Sequence, residues 1–348
     1  MTLSRTSQLL VSAAAFVIVV GGLKNVSGIV APLMLALALT IVFHPLRDRL
    51  ERRMPTWLAS VVLLVAVYLL VLGLTLALVI SIGRMAAIVP EYAPDLDDMA
   101  ANVGDALSSL GVSQAQEKAF VESLDVGRVV SLATSFMSHI LSVLSNMFFL
   151  LALLLFLAFD AANTSRLAAG AREHRPNLVD ALSAFAHGTR TYLGVSAVFG
   201  LIVAVIDSAM LYALGIPGAF AWGVLAFVTN FIPNIGFVIG VIPPAIVALL
   251  DGGPALMITV IVLYSLVNVV IQSIIQPRFV GSAVGLSTTL TFVSLFFWTW
   301  VLGPLGALMA VPMSLLVRAI LVDADPERRW MVPLISAKPA DEGAATKP

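Results

Sequence analysis

Apolar runs of membrane-spanning length alternate with short polar or basic segments from the first residues to about Val322. A bilayer core of ~30 Å takes ~20 helical residues. Six runs read as single helices of that order: Ser7 to Leu23, Gly28 to Phe43, Trp57 to Ile82, Ile140 to Phe159, Tyr192 to Leu214 and Pro254 to Ile275. The first two are short, so they are expected to thin the bilayer locally or to pack mainly against protein. Two further apolar stretches, Ala219 to Leu250 and Leu286 to Val322, are interrupted by Pro and Gly. As one straight helix the first would be ~48 Å long, too long for a simple span. Its break at Pro233-Asn234-Ile235-Gly236 leaves two arms of 14 residues, ~21 Å each and too short to cross alone. The second breaks at Gly303-Pro304-Leu305-Gly306 into arms of 17 and 16 residues, ~25 Å at most. The pattern therefore predicts an all-α integral membrane protein of about eight hydrophobic segments, six spanning helices and two Pro/Gly-broken re-entrant helical hairpins.

Thr229 to Val241 aligns with Thr299 to Val311 at a constant offset of 70, pairing Thr229 with Thr299, Gly236 with Gly306 and Val241 with Val311. Each broken segment also follows an apolar helix, so a unit of helix plus broken hairpin occurs twice, as in the inverted repeats of secondary transporters. The rival arrangement, in which both broken segments cross completely, puts Gln276 to Gly281 on the opposite side of the membrane. Arg278 lies there, and positive-inside bias favours the hairpins.

Charge orients the rest. Residues 44–56 carry Arg47, Arg49, Arg52 and Arg53, and residues 160–190 carry Arg166, Arg172, Arg175 and Arg190, so both segments are expected in the cytoplasm with the two termini. Residues 83–139 are rich in Asp and Glu and belong outside. Within them Met99, Val103, Ala106, Leu107 and Leu110 share a helical face, predicting a small external amphipathic insertion that either packs on the membrane domain or a neighbouring subunit or serves as a lid. Arg5 before an apolar stretch and Ala13 to Ala15 resemble a signal peptide. The apolar run continues past them and a second begins at Gly28, so a retained helical pair is the simpler reading. The chain thus divides into one polytopic membrane domain, 1–336, whose residues 192–322 form the candidate transport region, and a tail, 337–348, of disordered composition.

Composition narrows the function. With 60% hydrophobic and 11% charged residues the chain has too little polar surface to wrap a soluble globule. A net charge of −1 with no Lys/Arg block excludes a nucleic-acid partner. Cysteine is absent, and His44, His139, His174 and His187 lack ligand spacing, so no metal or cofactor is implied. No Walker loop, nucleophile elbow or HExxH motif is present, which speaks against ATP-driven transport and enzymatic hydrolysis.

Non-helical backbone at membrane depth is tolerated only where protein or a water-filled cavity satisfies it, so the two tips are natural solute sites. Thr229, Asn230, Pro233, Asn234 and Gly236 would form the first, and Thr299, Gly303, Pro304 and Gly306 the second. Asn268, Gln272 and Gln276 recur every four residues on one face of the Pro254 helix, with Ser265 one turn earlier, and Ser287, Thr291 and Ser294 repeat the pattern on the next. These stripes read as a pathway lining for a polar neutral solute or an ion. Interhelical hydrogen bonding is the alternative for each residue taken singly. Asp207 lies deep in a span, where it is buried, protonated or partnered, with proton coupling and structural hydrogen bonding both open.

The segments FIPNIGFVIGVIPPAIVALL and QPRFVGSAVGLSTTLTFVSLFFWTWVLGPLGALMAVP, in this order after paired N-terminal helices and a long external insertion, resemble those of the autoinducer-2 exporter family of bacterial membrane proteins. The resemblance covers nearly the whole chain. It implies an inner-membrane secondary transporter that exports autoinducer-2 or, as in other branches, exchanges Na+ or Li+ for protons, assembled as a homo-oligomer such as a pentamer. By position it carries over Pro233, Asn234 and Gly236, then Gln276, Pro277 and Gly281, then Gly303, Pro304 and Gly306. Asp207 lies outside that pattern. An oligomeric scaffold without a transport cycle is the remaining alternative.

Overall fold

The computed structural model describes residues 4–88, 138, 147–161, 164–233, 235–280 and 285–336, and its regular elements there are all helices. Most of the predicted external insertion, the tail 337–348, Asn234 and Gly281 lie outside the described residues. In order the helices are α1 (Arg5–Asn25), α2 (Ser27–Glu51), α3 (Thr56–Ile88), α4 (Met147–Ala161), α5 (Thr164–His174), α6 (Pro176–Ala213), α7 (Ala219–Thr229) and α8 (Gly236–Asn268). A π-helical turn (Val269–Ile275) leads into α9 (Gln276–Val280), followed by α10 (Thr288–Leu302), α11 (Pro304–Leu308) and α12 (Ala310–Arg318). A second π turn (Ala319–Asp323), a 3-10 turn (Pro326–Met331) and α13 (Val332–Ile335) close the described chain.

Among the described residues five stretches are long and apolar enough to cross a membrane: Thr6–Asn25, Ser27–Glu51, Thr56–Ile80, Pro176–Ala213 and Gly236–Phe279. Phe148–Asp160, Ala219–Thr229 and Thr288–Leu302 are apolar but shorter. The protein is therefore an all-α, multi-span membrane protein.

Two boundaries differ from the sequence expectation. The helix expected from Tyr192 begins at Pro176, where proline suits a first helical turn because no N–H is needed there. Residues 251–253 form a one-residue break rather than a loop: Gly253 takes φ 74° and ψ −172°, and the helix resumes at Pro254. Gly303 repeats this with φ 69° and ψ −154° before Pro304. In both, glycine supplies a backbone angle that a side chain resists and proline restarts the helix.

Packing forms three cores. One joins α6, α7 and α8 through Val203, Leu211, Trp222, Leu225, Val247 and Tyr264. A second joins α1, α2, the start of α6 and the α10–α12 region, and a third joins α2, α3 and α4. The opposite face of α6 exposes Val198, Leu201 and Val205, as suits contact with lipid tails.

Basic side chains close one end of the bundle by filling free carbonyls. Pro45 cannot donate to Ile41 O four residues earlier, and Arg190 Nε of α6 donates to that oxygen at 3.1 Å. Buried Arg47 pairs with Glu51 at 2.7 Å and donates to Ala158 O, near the end of α4, at 2.6 Å. Arg172 pairs with Asp180 across the α5–α6 joint. The two arginine-rich segments thus meet at one end of the bundle. At the C-terminal side Arg318 donates to Gly285 O at 2.8 Å, and Ser287 N donates to Ile335 O at 2.9 Å.

Replacing Arg190 by Met is expected to leave Ile41 O without its partner and to cost about 1–3 kcal/mol. The measurement is the thermal unfolding midpoint in detergent, with Arg190→Lys recovering part of the loss.

Candidate functional site

The buried polar residues of α6 lie on one face. Thr189, Tyr192, Ser196, Gly200 and Asp207 are separated by three, four, four and seven residues, and Thr189, Ser196 and Asp207 are fully buried. α7 runs back along this face in close contact. A Cβ on Gly223 would overlap Ser208 Oγ and sit 2.7 Å from Ala204 O, and one on Gly200 would sit 3.0 Å from Asn230 Nδ2. Small residues let the two helices approach, as is usual where lipid gives no hydrophobic drive to association.

The first break is bonded to α6 at two points. Asn230 Nδ2 donates to Ser196 O at 2.8 Å, and the Tyr192 hydroxyl donates to Phe231 O at 3.1 Å. Its apolar residues Phe231, Ile232 and Ile235 pack on the second core, while Leu225 and Ala226 just before it belong to the first. The break therefore sits where the two cores meet.

α8 then folds back on α7. A Cβ on Gly236 would overlap Thr229 O, and one on Gly240 would sit 2.9 Å from both Thr229 Oγ1 and the Tyr264 hydroxyl. Tyr264 and Asn268 come from the arm of α8 beyond Gly253. Asn268 Nδ2 donates to Tyr264 O at 2.8 Å, and its Oδ1 accepts from Gln272 Nε2 at 2.6 Å. Asn268 and Tyr264 bear on the Asp207 carboxyl. Neither closes a hydrogen bond of ordinary geometry with it, so both Asp207 oxygens and the Tyr264 hydroxyl lack a partner. Ser196 Oγ, Thr189 Oγ1, Asn230 Oδ1 and Gln276 Oε1 are buried and unpartnered as well.

The second break is a separate locus. A Cβ on Gly306 would overlap Trp298 O, the counterpart of the Gly236 contact, with Leu302 Cβ 3.0 Å away where Ile232 Cβ lies 3.5 Å from Gly236. Trp298 Nε1 donates to Ser314 Oγ at 3.0 Å, which ties α10 to α12. Thr299 Oγ1 donates to Leu295 O at 2.5 Å and Thr291 Oγ1 to Ser287 O at 3.0 Å, each back into its own helix. Ser294 is buried, and Gly303 and Pro304 form the turn.

Of the residues expected to line a pathway, the structure brings Thr229, Asn230 and Gly236 together at the first break, with Pro233 in the turn itself, while Asn268 faces Asp207 and is bonded to Gln272, and Gln276 opens α9. Thr299, Gly303, Pro304 and Gly306 stand apart at the second break, and Thr291 and Ser294 lie about two to three turns before it on α10. Asn234 lies outside the described residues. Sequence reading missed Thr189, Tyr192, Ser196 and Tyr264. The first three share a helical face that becomes visible only when α6 is extended back to Pro176. A cavity of about 610 Å³ is bordered by Tyr212, Gly215 to Ala221 and α3, and none of the expected pathway residues lines it.

A family profile described as AI-2E family transporter matches residues 10–324. The AI-2 transport protein TqsA of Escherichia coli K12 is 29% identical over 88% of this chain and 89% of its own length. "Putative transport protein YhhT" of the same strain is 29% identical over 88% of both chains.

Gly236→Ala and Gly306→Ala are each expected to destabilise the fold by at least about 1–3 kcal/mol, since the added carbon meets backbone rather than a movable side chain. Gly22→Ala, with open space at that position, is expected to be neutral or slightly stabilising. Fluorescence-detected size exclusion and melting of the three variants measure the contrast.

Proposed function

The chain belongs to the AI-2E family of transporters, and on that premise we propose that it is a secondary transporter exporting a small polar solute of the autoinducer-2 type. Family membership makes its class transport rather than catalysis. The observation that carries the solute reading is the state of Asn230. Its amide nitrogen is held by Ser196 O, which fixes the side chain, while its buried Oδ1 is left to accept. Ser196 Oγ and Thr189 Oγ1 on the same strip of α6 are likewise uncommitted. Neutral donors and acceptors without a fixed charge suit a hydroxyl-rich neutral molecule better than a charged one. The similarity to TqsA, an AI-2 transport protein, supports that solute class.

The finer architecture belongs to the same proposal. Both broken segments re-enter rather than cross, forming six spans and two hairpins related as an internal repeat. For the second, the Arg318 to Gly285 bond and the Ser287 to Ile335 bond support a segment whose two ends lie together. For the first, the successive contacts of Gly236 and Gly240 with Thr229 and Ala226 support antiparallel return. In the transport cycle the unit holding both breaks moves against the N-terminal helices, opening the site to each side in turn. Assembly as an inner-membrane homo-oligomer, pentameric by family resemblance, completes the proposal.

Flux of autoinducer-2 and, in parallel, Na+ through proteoliposomes tests it. Because each change removes only a hydroxyl from a closely packed strip of α6, Ser196→Ala and Thr189→Val should fold and assemble as wild type. Each is expected to lower autoinducer-2 flux at limiting concentration about five- to ten-fold, the worth of one hydrogen bond. Na+ flux without autoinducer-2 flux would replace the exporter reading by the antiporter. Flux of neither, with both variants inert, would favour a scaffold.

A further inference from the structure

The end of the bundle closed by arginines holds a cation that its own bonds do not exhaust. Arg47 is 5% exposed, and its bonds to Glu51 and Ala158 O occupy Nε and Nη1. Nη2 carries two further donor hydrogens. It makes no hydrogen bond among the described residues and is not sealed from its surroundings. Positive-inside bias accounts for arginines gathering at one end of a bundle. It does not account for one that is buried with donors to spare, because a buried charge needs its hydrogen bonds filled.

Arg47 lines a crevice between α2, α3 and α4. Leu39, Phe43, Leu63, Leu64, Val67 and Leu154 form its walls, and His44 and Arg47 stand toward the α2–α3 turn. The two wall hydroxyls, Thr40 and Ser60, donate back to Ala36 O and Thr56 O within their own helices, so the walls are effectively apolar. From Leu39 to Arg47 the crevice runs ~12 Å along α2. Its free space is about 30 Å³, close to the volume of one water molecule. That is too little for a compact solute, and it suits a single hydrocarbon chain laid lengthwise. Charge at the polar end is positive. Asp48 pairs with His44 at 3.2 Å and Glu51 with Arg47, whereas Arg49, Arg52 and Arg53 are exposed and make no ion pair among the described residues. Trp57, 63% exposed on the first turn of α3, suits the headgroup level of a bilayer.

We propose that this crevice binds one anionic phospholipid, whose phosphate accepts from Arg47 Nη2 and whose acyl chain lies along the apolar walls. A guanidinium arm and a phosphate oxygen make a strong, charge-assisted hydrogen bond. The phosphate alone is common to zwitterionic lipids. Preference for a net negative headgroup comes from Arg49, Arg52 and Arg53, since unpaired basic residues at the headgroup level attract anionic lipid. A lipid held there touches α2, α3 and α4 together and braces the third core. The inference does not depend on which solute the protein moves.

The test is the thermal unfolding midpoint of the full-length protein in neutral detergent with added phosphatidylglycerol, phosphatidylcholine or inorganic phosphate, alongside native mass spectrometry to count retained lipid. Wild type is expected to melt several degrees higher with phosphatidylglycerol than with phosphatidylcholine and to retain a single phosphatidylglycerol. The difference should shrink at high salt. Arg52→Gln/Arg53→Gln changes two exposed side chains, so it should fold as wild type and lose at least half of the phosphatidylglycerol shift. Arg166→Gln/Arg175→Gln removes the same charge from α5 and the start of α6, away from the crevice, and should keep the shift. Arg47→Lys retains a charge beside Glu51 without the Nη2 arm, and its apparent affinity for phosphatidylglycerol should fall about five- to ten-fold. Equal losses in the two double variants would mean a diffuse basic surface and overturn the site. Equal shifts with phosphatidylglycerol and phosphatidylcholine, or with inorganic phosphate alone, would overturn an anionic lipid as the occupant.

Discussion

The constraint on which the structure depends is that hydrocarbon offers no partner for a backbone N–H or C=O. Every interruption of a helix in this chain must be repaired from within the protein, and the repairs dictate where polar side chains sit. The carbonyl freed by Pro45 is taken by Arg190. The carbonyl of Phe231 is taken by Tyr192, and the main chain at Ser196 is bonded by Asn230. At the second break the backbone repairs itself through Gly303 N to Thr299 O at 2.9 Å and Gly306 N to Gly303 O at 2.8 Å. Polar residues in the membrane region thus divide into those that mend the backbone and those left over, and the second group is small.

That division explains why the two breaks, similar in sterics, differ in chemistry. Gly236 and Gly306 each lie against a carbonyl seven or eight residues earlier, so both turns require a residue without a side chain there. Around Gly306 the threonines bond to their own helix and Trp298 bonds to Ser314, leaving little uncommitted. Around Gly236 the uncommitted atoms accumulate, on Asn230, Ser196, Tyr264 and Asp207. A duplicated backbone device carries one site rich in free polar groups and one that is largely closed.

The breaks were legible in the sequence because Pro and Gly act through local backbone rules, and arm lengths of 14 to 17 residues follow from counting. The positive φ of Gly253 was less legible, since Gly-Gly-Pro between apolar runs reads equally well as a loop. Which polar residues would be free was not legible at all. Thr291 and Thr229 both return their hydroxyls to the preceding turn, yet only Thr229 also shares with Tyr264 the space beside Gly240. Tyr264 passed for an ordinary apolar position because its hydroxyl matters only once Gly240 is brought against it. The polar face of α6 was hidden by placing the helix start at Tyr192, which cut Thr189 away from Ser196.

The position of the first break gives the mechanism its physical basis. Residues 231, 232 and 235 pack on the core shared with α1, α2 and α10–α12, whereas Leu225, Ala226 and Val241 on either side belong to the core shared by α6, α7 and α8. Packed cores shift as units rather than deforming continuously. In the proposed cycle, relative movement of these two cores would be absorbed at the break, where the chain leaves the first core and returns to it within a few residues. α6 contributes residues to both cores, so in that cycle it would serve as the axis of the movement. Groups on α6 that face the break, from Ser196 to Asp207, would then feel each displacement directly, while those around Gly306, which lie within a single core, would not.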